Sequence, residues 1–140
     1  MRAWIIAAAL ALSATPAWAQ LELAPPTPED VAVRVSADQN GQSVEAAQGD
    51  MIAIELQSSP SAGASWRVAS KPDFLADPET LSGPTSAQAS GGAPRVGAPR
   101  WQVLIFPVAA AGSGELVLEK RGPGRRGQVL ETFRVNIVAQ

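Results

Sequence analysis

Apolar residues return at every second position in five separate runs of this chain, the periodicity of strands that turn one face to a core. "VAVRVS" at 31–36 sets Val31, Val33 and Val35 on one side, and "MIAIELQ" at 51–57 aligns Ile52, Ile54 and Leu56. "WQVLIFPV" at 101–108 aligns Leu104, Phe106 and Val108, "GELVLEK" at 114–120 pairs Leu116 with Leu118, and "TFRVNIV" at 132–138 aligns Phe133, Val135 and Ile137. "SWRVAS" at 65–70 and "FLADPETL" at 74–81 are shorter candidates. Beyond residue 19 no segment carries a capped apolar stripe at helical spacing. Turn formers separate the runs: "DQNGQ" at 38–42, "QGD" at 48–50 and "AAGSG" at 110–114, all compatible with hairpins. Seven or eight short strands in about 110 residues predict an all-β antiparallel sandwich. The stretch 81–100, with four glycines and three prolines, interrupts the regular spacing and reads as a long loop.

The first nineteen residues have a different character. Arg2, an apolar run from Trp4 to Leu12 and the small pair Ala17 and Ala19 describe a secretory signal peptide cut after Ala19. The apolar run is too short to cross a bilayer, so the expected product is a soluble periplasmic or secreted protein with no membrane partner. Its domains would be the signal at 1–19, a proline-bearing extended lead-in at 20–30 and one β-sandwich at 31–140. Arg2 is the only charge in the leader. The chain's 11 basic and 13 acidic residues therefore leave a net charge of −3 after cleavage, the wrong balance for binding nucleic acid. "KRGPGRR" at 120–126, the nearest approach to a basic patch, reads as a solvated hairpin end.

Chemistry is constrained by omission. Without histidine or cysteine the chain lacks the commonest general base, the thiol nucleophile and the usual ligands of zinc and copper. Lys71 and Lys120 lie in no motif around a serine, Asp73, Asp77 and Glu79 lack calcium-loop spacing, and no phosphate-cradling glycine loop is present. The expectation is a protein that is not an enzyme and uses no cofactor and no metal. Function then falls to three unusual connections, "SSPSAG" at 58–63, the long glycine-rich loop ending in "VGAP", and "RGPG". Proline fixes one dihedral and glycine admits close approach, so "SSPSAG" suits either an ordinary β-turn or a preorganised wedge.

The order of three motifs resembles the chagasin family of cysteine protease inhibitors. The family's NPTTGY loop, followed by tryptophan, corresponds to "SPSAGASW", which keeps Pro60, Gly63 and Trp66. Its glycine-rich loop before a phenylalanine-bearing strand corresponds to "VGAPRWQVLIFPVAAAG", through Gly97, Phe106 and Gly112, although "ASGG" at 89–92 competes for the glycines. Its RPW loop before the closing strand corresponds to "RGPG", which keeps Arg121 and Pro123 and lacks the tryptophan. The resemblance spans about residues 45–138 and implies an immunoglobulin-like sandwich, monomeric, whose three loops enter the cleft of a papain-like cysteine protease and block it reversibly without a covalent bond. On that basis Ser59, Pro60, Ser61, Ala62, Gly63 and Ala64 would occlude the nucleophile. Gly97 and Ala98 would line one wall, and Arg121 with Pro123 the other. Trp66 is expected in the core. Ala64 in place of the family's aromatic residue and the missing tryptophan remove two anchoring surfaces, for which Trp101 either compensates or packs internally. A periplasmic immunoglobulin-like binding module without inhibitory activity is the competing expectation.

Overall fold

Pairing register turns the alternation into two layers. The computed structural model describes residues 23–85 and 98–140; the leader at 1–19, Gly97 and "ASGG" lie outside the described residues. Eight strands are present among those described: β1 (Val33–Ser36), β2 (Ser43–Ala46), β3 (Met51–Ser58), β4 (Ser65–Ser70), β5 (Glu79–Pro84), β6 (Arg100–Pro107), β7 (Gly112–Arg121) and β8 (Val129–Ala139). They form two four-stranded sheets, ordered β1-β3-β6-β5 and β2-β8-β7-β4. Between the sheets lie the residues the alternation picked out: Ile52, Ile54, Leu56, Leu104 and Phe106 of the first, and Leu116, Leu118, Phe133, Val135 and Ile137 of the second.

The all-β sandwich is as expected, but neither sheet is purely antiparallel. β1 runs parallel to β3, with Val33 opposite Ile52, and β2 runs parallel to β8, with Ser43 opposite Asn136. The reason lies in the connections. "DQNGQ", "QGD" and "AAGSG" do not close hairpins; each carries the chain from one sheet to the other, because β1 and β2, β2 and β3, and β6 and β7 belong to opposite layers. The expected strand at 74–81 is also displaced. Pro78 cannot donate to a ladder, and the strand begins after it, at Glu79. Residues 71–78 cross between the sheets instead, held by a single bridge from Leu75 to Val108.

The first sheet is buried on both faces. Ala53, Val103 and Ile105 point away from the main core yet are nearly solvent-free, packed with Val31 into a second cluster. This accounts for the unbroken apolar run "VLIF" in β6, as expected of a strand covered on both sides. The cover is residues 23–31, which pack against the outer face of this sheet as a strap. The Trp101 indole N–H donates to the Leu23 carbonyl at 2.9 Å, and the Thr27 hydroxyl donates to Glu55. A Cβ on Gly83 would stand 3.0 Å from the Pro26 ring, so a larger residue there would have to push the strap back by a few tenths of an ångström. Val31 thus parts from Val33 and Val35, which face the main core. The turn in which the Val31 N–H donates to the Pro28 carbonyl lies between the two arrangements.

Removing the strap therefore has a definite expected result. A chain beginning at Ala32 loses the burial of Val31, worth about 1.5–3 kcal/mol, and two hydrogen bonds worth about 1 kcal/mol each. Urea unfolding should show a loss of about 3.5–5 kcal/mol against a chain beginning at Gln20, with the β-rich circular dichroism spectrum retained. An unchanged midpoint would show that the strap contributes nothing.

Candidate functional site

The strand registers bring the segments singled out in the sequence to one end of the sandwich. Ser58 at the end of β3 pairs with Arg100, which pairs on its other side with Pro84, so the β3–β4 and β5–β6 connections leave the first sheet side by side. In the second sheet Ser65 pairs with Arg121, which pairs with Val129, so the β7–β8 connection leaves beside the start of β4. Thr85 closes the base of the β5–β6 connection by donating its buried hydroxyl to the Pro99 carbonyl at 2.8 Å. Ala98 lies beside that closure and is half-buried.

The β3–β4 connection is a turn built from its own residue types. Ser59 and Ala64 exchange two backbone hydrogen bonds of 3.0 Å, leaving a four-residue tip, Pro60–Gly63. Pro60, at its fixed φ, starts a 3-10 turn over Pro60–Ala62, in which the Ala62 N–H donates to the Ser59 carbonyl and the Gly63 N–H to the Pro60 carbonyl. Gly63 then reverses the chain at φ 79°, a left-handed conformation that glycine adopts without penalty. Pro60 to Gly63 are all exposed. Ala64 is not presented with them: it is 7% exposed and faces inward, so the residue standing where the family has an aromatic group does not offer a contact surface.

Gly63 also joins this tip to the β7–β8 hairpin. A Cβ on Gly63 would lie 2.8 Å from the Cβ of Pro123 and 3.2 Å from its Cα, so the two loops touch through a glycine face and a proline ring. Arg121 holds the hairpin rather than projecting from it. Its guanidinium donates to Glu119 at 2.6 and 3.1 Å and to the Gly127 carbonyl at 3.3 Å. Arg121 therefore braces the loop that carries Pro123.

Beneath the tip, Trp66 is buried as expected, and its indole N–H donates to the Gln57 carbonyl at 2.8 Å. Lys120 lies over its ring, 5.8 Å from the centroid, and pairs with Glu131 at 3.7 Å. Trp101 faces the opposite side of the first sheet and is committed to the strap, so it does not replace the missing aromatic surface. Two apolar residues do lie open at this end: Val129, 41% exposed, and Leu130, 51% exposed. Sequence reasoning missed them, as it missed Gln102, whose amide both accepts from the Trp66 N–H and donates to the Trp66 carbonyl, each at 2.9 Å. Among the described residues no group of acidic side chains is placed to hold a metal ion.

Comparison with solved structures returns the same architecture. The chain is similar to the cysteine protease inhibitor EhICP2 from Entamoeba histolytica, with 18% identity, a TM-score of 0.64, and coverage of 77% of this chain and 95% of that one. It is similar to Amebosin at 23% identity and a TM-score of 0.57, covering 77% and 97%, and to PbICP-C, solved in complex with falcipain-2, at 12% identity and 0.51, covering 77% and 99%. No curated protein matches the sequence. The pattern that defines the chagasin family peptidase inhibitors, I42, matches residues 45–137, from within β2 to within β8. This chain belongs to the chagasin family of peptidase inhibitors, a family of inhibitors and not of enzymes.

Proposed function

We propose that the protein is exported and inhibits papain-like cysteine proteases reversibly, by lodging the Pro60–Gly63 tip over the catalytic cysteine with the other two loops against the walls of the cleft. The observation that carries this reading is the seat of Gly63 on Pro123, which makes two of the three loops one preorganised surface. Preorganisation lowers the cost of binding. The tip also resists cleavage by its shape: a 3-10 turn closed by backbone hydrogen bonds does not offer the extended segment that a protease cleft accepts. Family membership supports the inhibitory role, and one structural neighbour was solved bound to a protease, falcipain-2. Val129 and Leu130 supply apolar contact on the wall where the family's tryptophan is absent.

The inward-facing Ala64 and that missing tryptophan favour a second reading, a binding module of the same fold directed at another envelope protein. Titration separates the two. Protein recovered from a bacterial periplasm, with an intact mass beginning at Gln20, should abolish the activity of papain at near-stoichiometric ratio, and activity should return on dilution. Absence of inhibition against papain and several related enzymes would overturn the inhibitory reading and leave the binding module.

A further inference from the structure

Charge is distributed unevenly over this molecule. The chain as a whole is slightly acidic, with a formal net charge of −2. Among the described residues the loop end nevertheless gathers six cations, Arg67, Arg100, Lys120, Arg121, Arg125 and Arg126, against the carboxylates of Glu119 and Glu131. Both carboxylates are already engaged, Glu119 with Arg121 at 2.6 Å and Glu131 with Lys120 at 3.7 Å. Arg67, Arg125 and Arg126 form no ion pair among the described residues and are exposed. At the far end of the sandwich the balance is reversed, with Asp50, Asp73 and Asp77 against Lys71.

Arg67, Arg121 and Arg125 converge on one cavity of about 100 Å³, whose remaining lining is Gly122, Gly124 and Gly127. Arg67 stands directly across the strand pair from Glu119, but that carboxylate is held by Arg121, which leaves the Arg67 guanidinium without its nearest counter-charge. The cavity opens beside Pro123, in the loop on which Gly63 rests. A partner seated on the tip must cover it, and in doing so must either satisfy these guanidiniums or bury them unpaired, which is costly.

We propose that the target protease carries carboxylate side chains on the cleft rim that meets the β7–β8 hairpin, and that Arg67 and Arg125 select for such a rim. This rests on the inhibitory reading and adds to it the charge of the partner. The arginines act mainly on the encounter, because exposed charges steer association more than they hold the final complex.

The test is stopped-flow association of the wild type, R67E/R125E and Gly63→Val with a papain-like protease whose cleft rim bears carboxylates, and with the same enzyme after those carboxylates are changed to amides. Both arginines are exposed on the fold's surface, so the double variant should retain the wild-type thermal midpoint. At 20 mM salt its association rate with the acidic rim should fall about ten-fold or more, shrinking to within about two-fold at 500 mM, where screening is nearly complete. The amide rim should slow the wild type and not the double variant. Equal rates for wild type and double variant at low salt, with Gly63→Val impaired, would overturn the acidic-rim assignment and leave the wedge standing. Failure of the wild type to inhibit either form of the enzyme would overturn the inhibitory reading and this inference together.

Discussion

A Gly63→Val variant is expected to remain folded and to inhibit papain at least about thirty-fold more weakly than the wild type, a loss of about 2 kcal/mol. Two effects act at this residue. At φ 79° a β-branched side chain is strained, a cost on the order of 1–3 kcal/mol borne by a surface turn. The valine Cβ would also need the space taken by Pro123, whose Cβ and Cα lie 2.8 and 3.2 Å from where it would stand. Neither atom is the free end of a flexible chain, so relief requires that one loop move. The tip and the hairpin then part, and the surface that two loops form jointly is lost, even before any clash with the protease. Circular dichroism and thermal unfolding check the fold, and an inhibition constant checks the contact. Equal inhibition by the wild type and a folded Gly63→Val protein would reject the wedge.

Much of this arrangement is legible in the sequence because burial alternates wherever one face of a strand is wet. Ile52, Ile54, Leu56, Phe133, Val135 and Ile137 are identified by period alone, and Pro60 with Gly63 marks a turn by its chemistry. What alternation does not encode is the identity of the neighbouring strand. A glycine turn that crosses between layers uses the same residues as one that closes a hairpin, so the parallel pairs β1-β3 and β2-β8 leave no local trace. The strap is hidden for a related reason. Its prolines make no ladder, and the segment reads as a linker until the second apolar face of β6 is seen to need a cover. At the site, Leu130 is exposed through a local irregularity. The register shifts between Lys120, opposite Glu131, and Arg121, opposite Val129, so Leu130 has no partner in the ladder and turns outward. Ala64 departs from expectation in the opposite direction, because its backbone pairing with Ser59 closes the base of the tip and points its methyl group inward.

Gln102 carries the second large expectation, since it solves a problem that every sandwich edge presents. β4 is the last strand of its sheet, so the Trp66 N–H and carbonyl face away from β7 with no ladder partner. Gln102 projects from the inner face of β6 in the other sheet and satisfies both groups with one amide, at 2.9 Å each. An amide is suited to this because it offers a donor and an acceptor at neighbouring atoms without the desolvation cost of a charge. Leucine in its place keeps similar bulk and leaves both backbone groups unpaired beside the core. The expected cost is about 2–3 kcal/mol, discounted from the fully buried case because the site is only half-buried. For a domain of this size that lowers the thermal midpoint by about 10 °C. Inhibition should weaken as well, because Trp66 anchors the strand that leaves the tip and its indole N–H is bonded to Gln57, just before it. A Gln102→Leu protein with wild-type midpoint and wild-type inhibition would show that water serves the β4 edge as well as the amide does, and that the two sheets are held at this end by apolar packing alone.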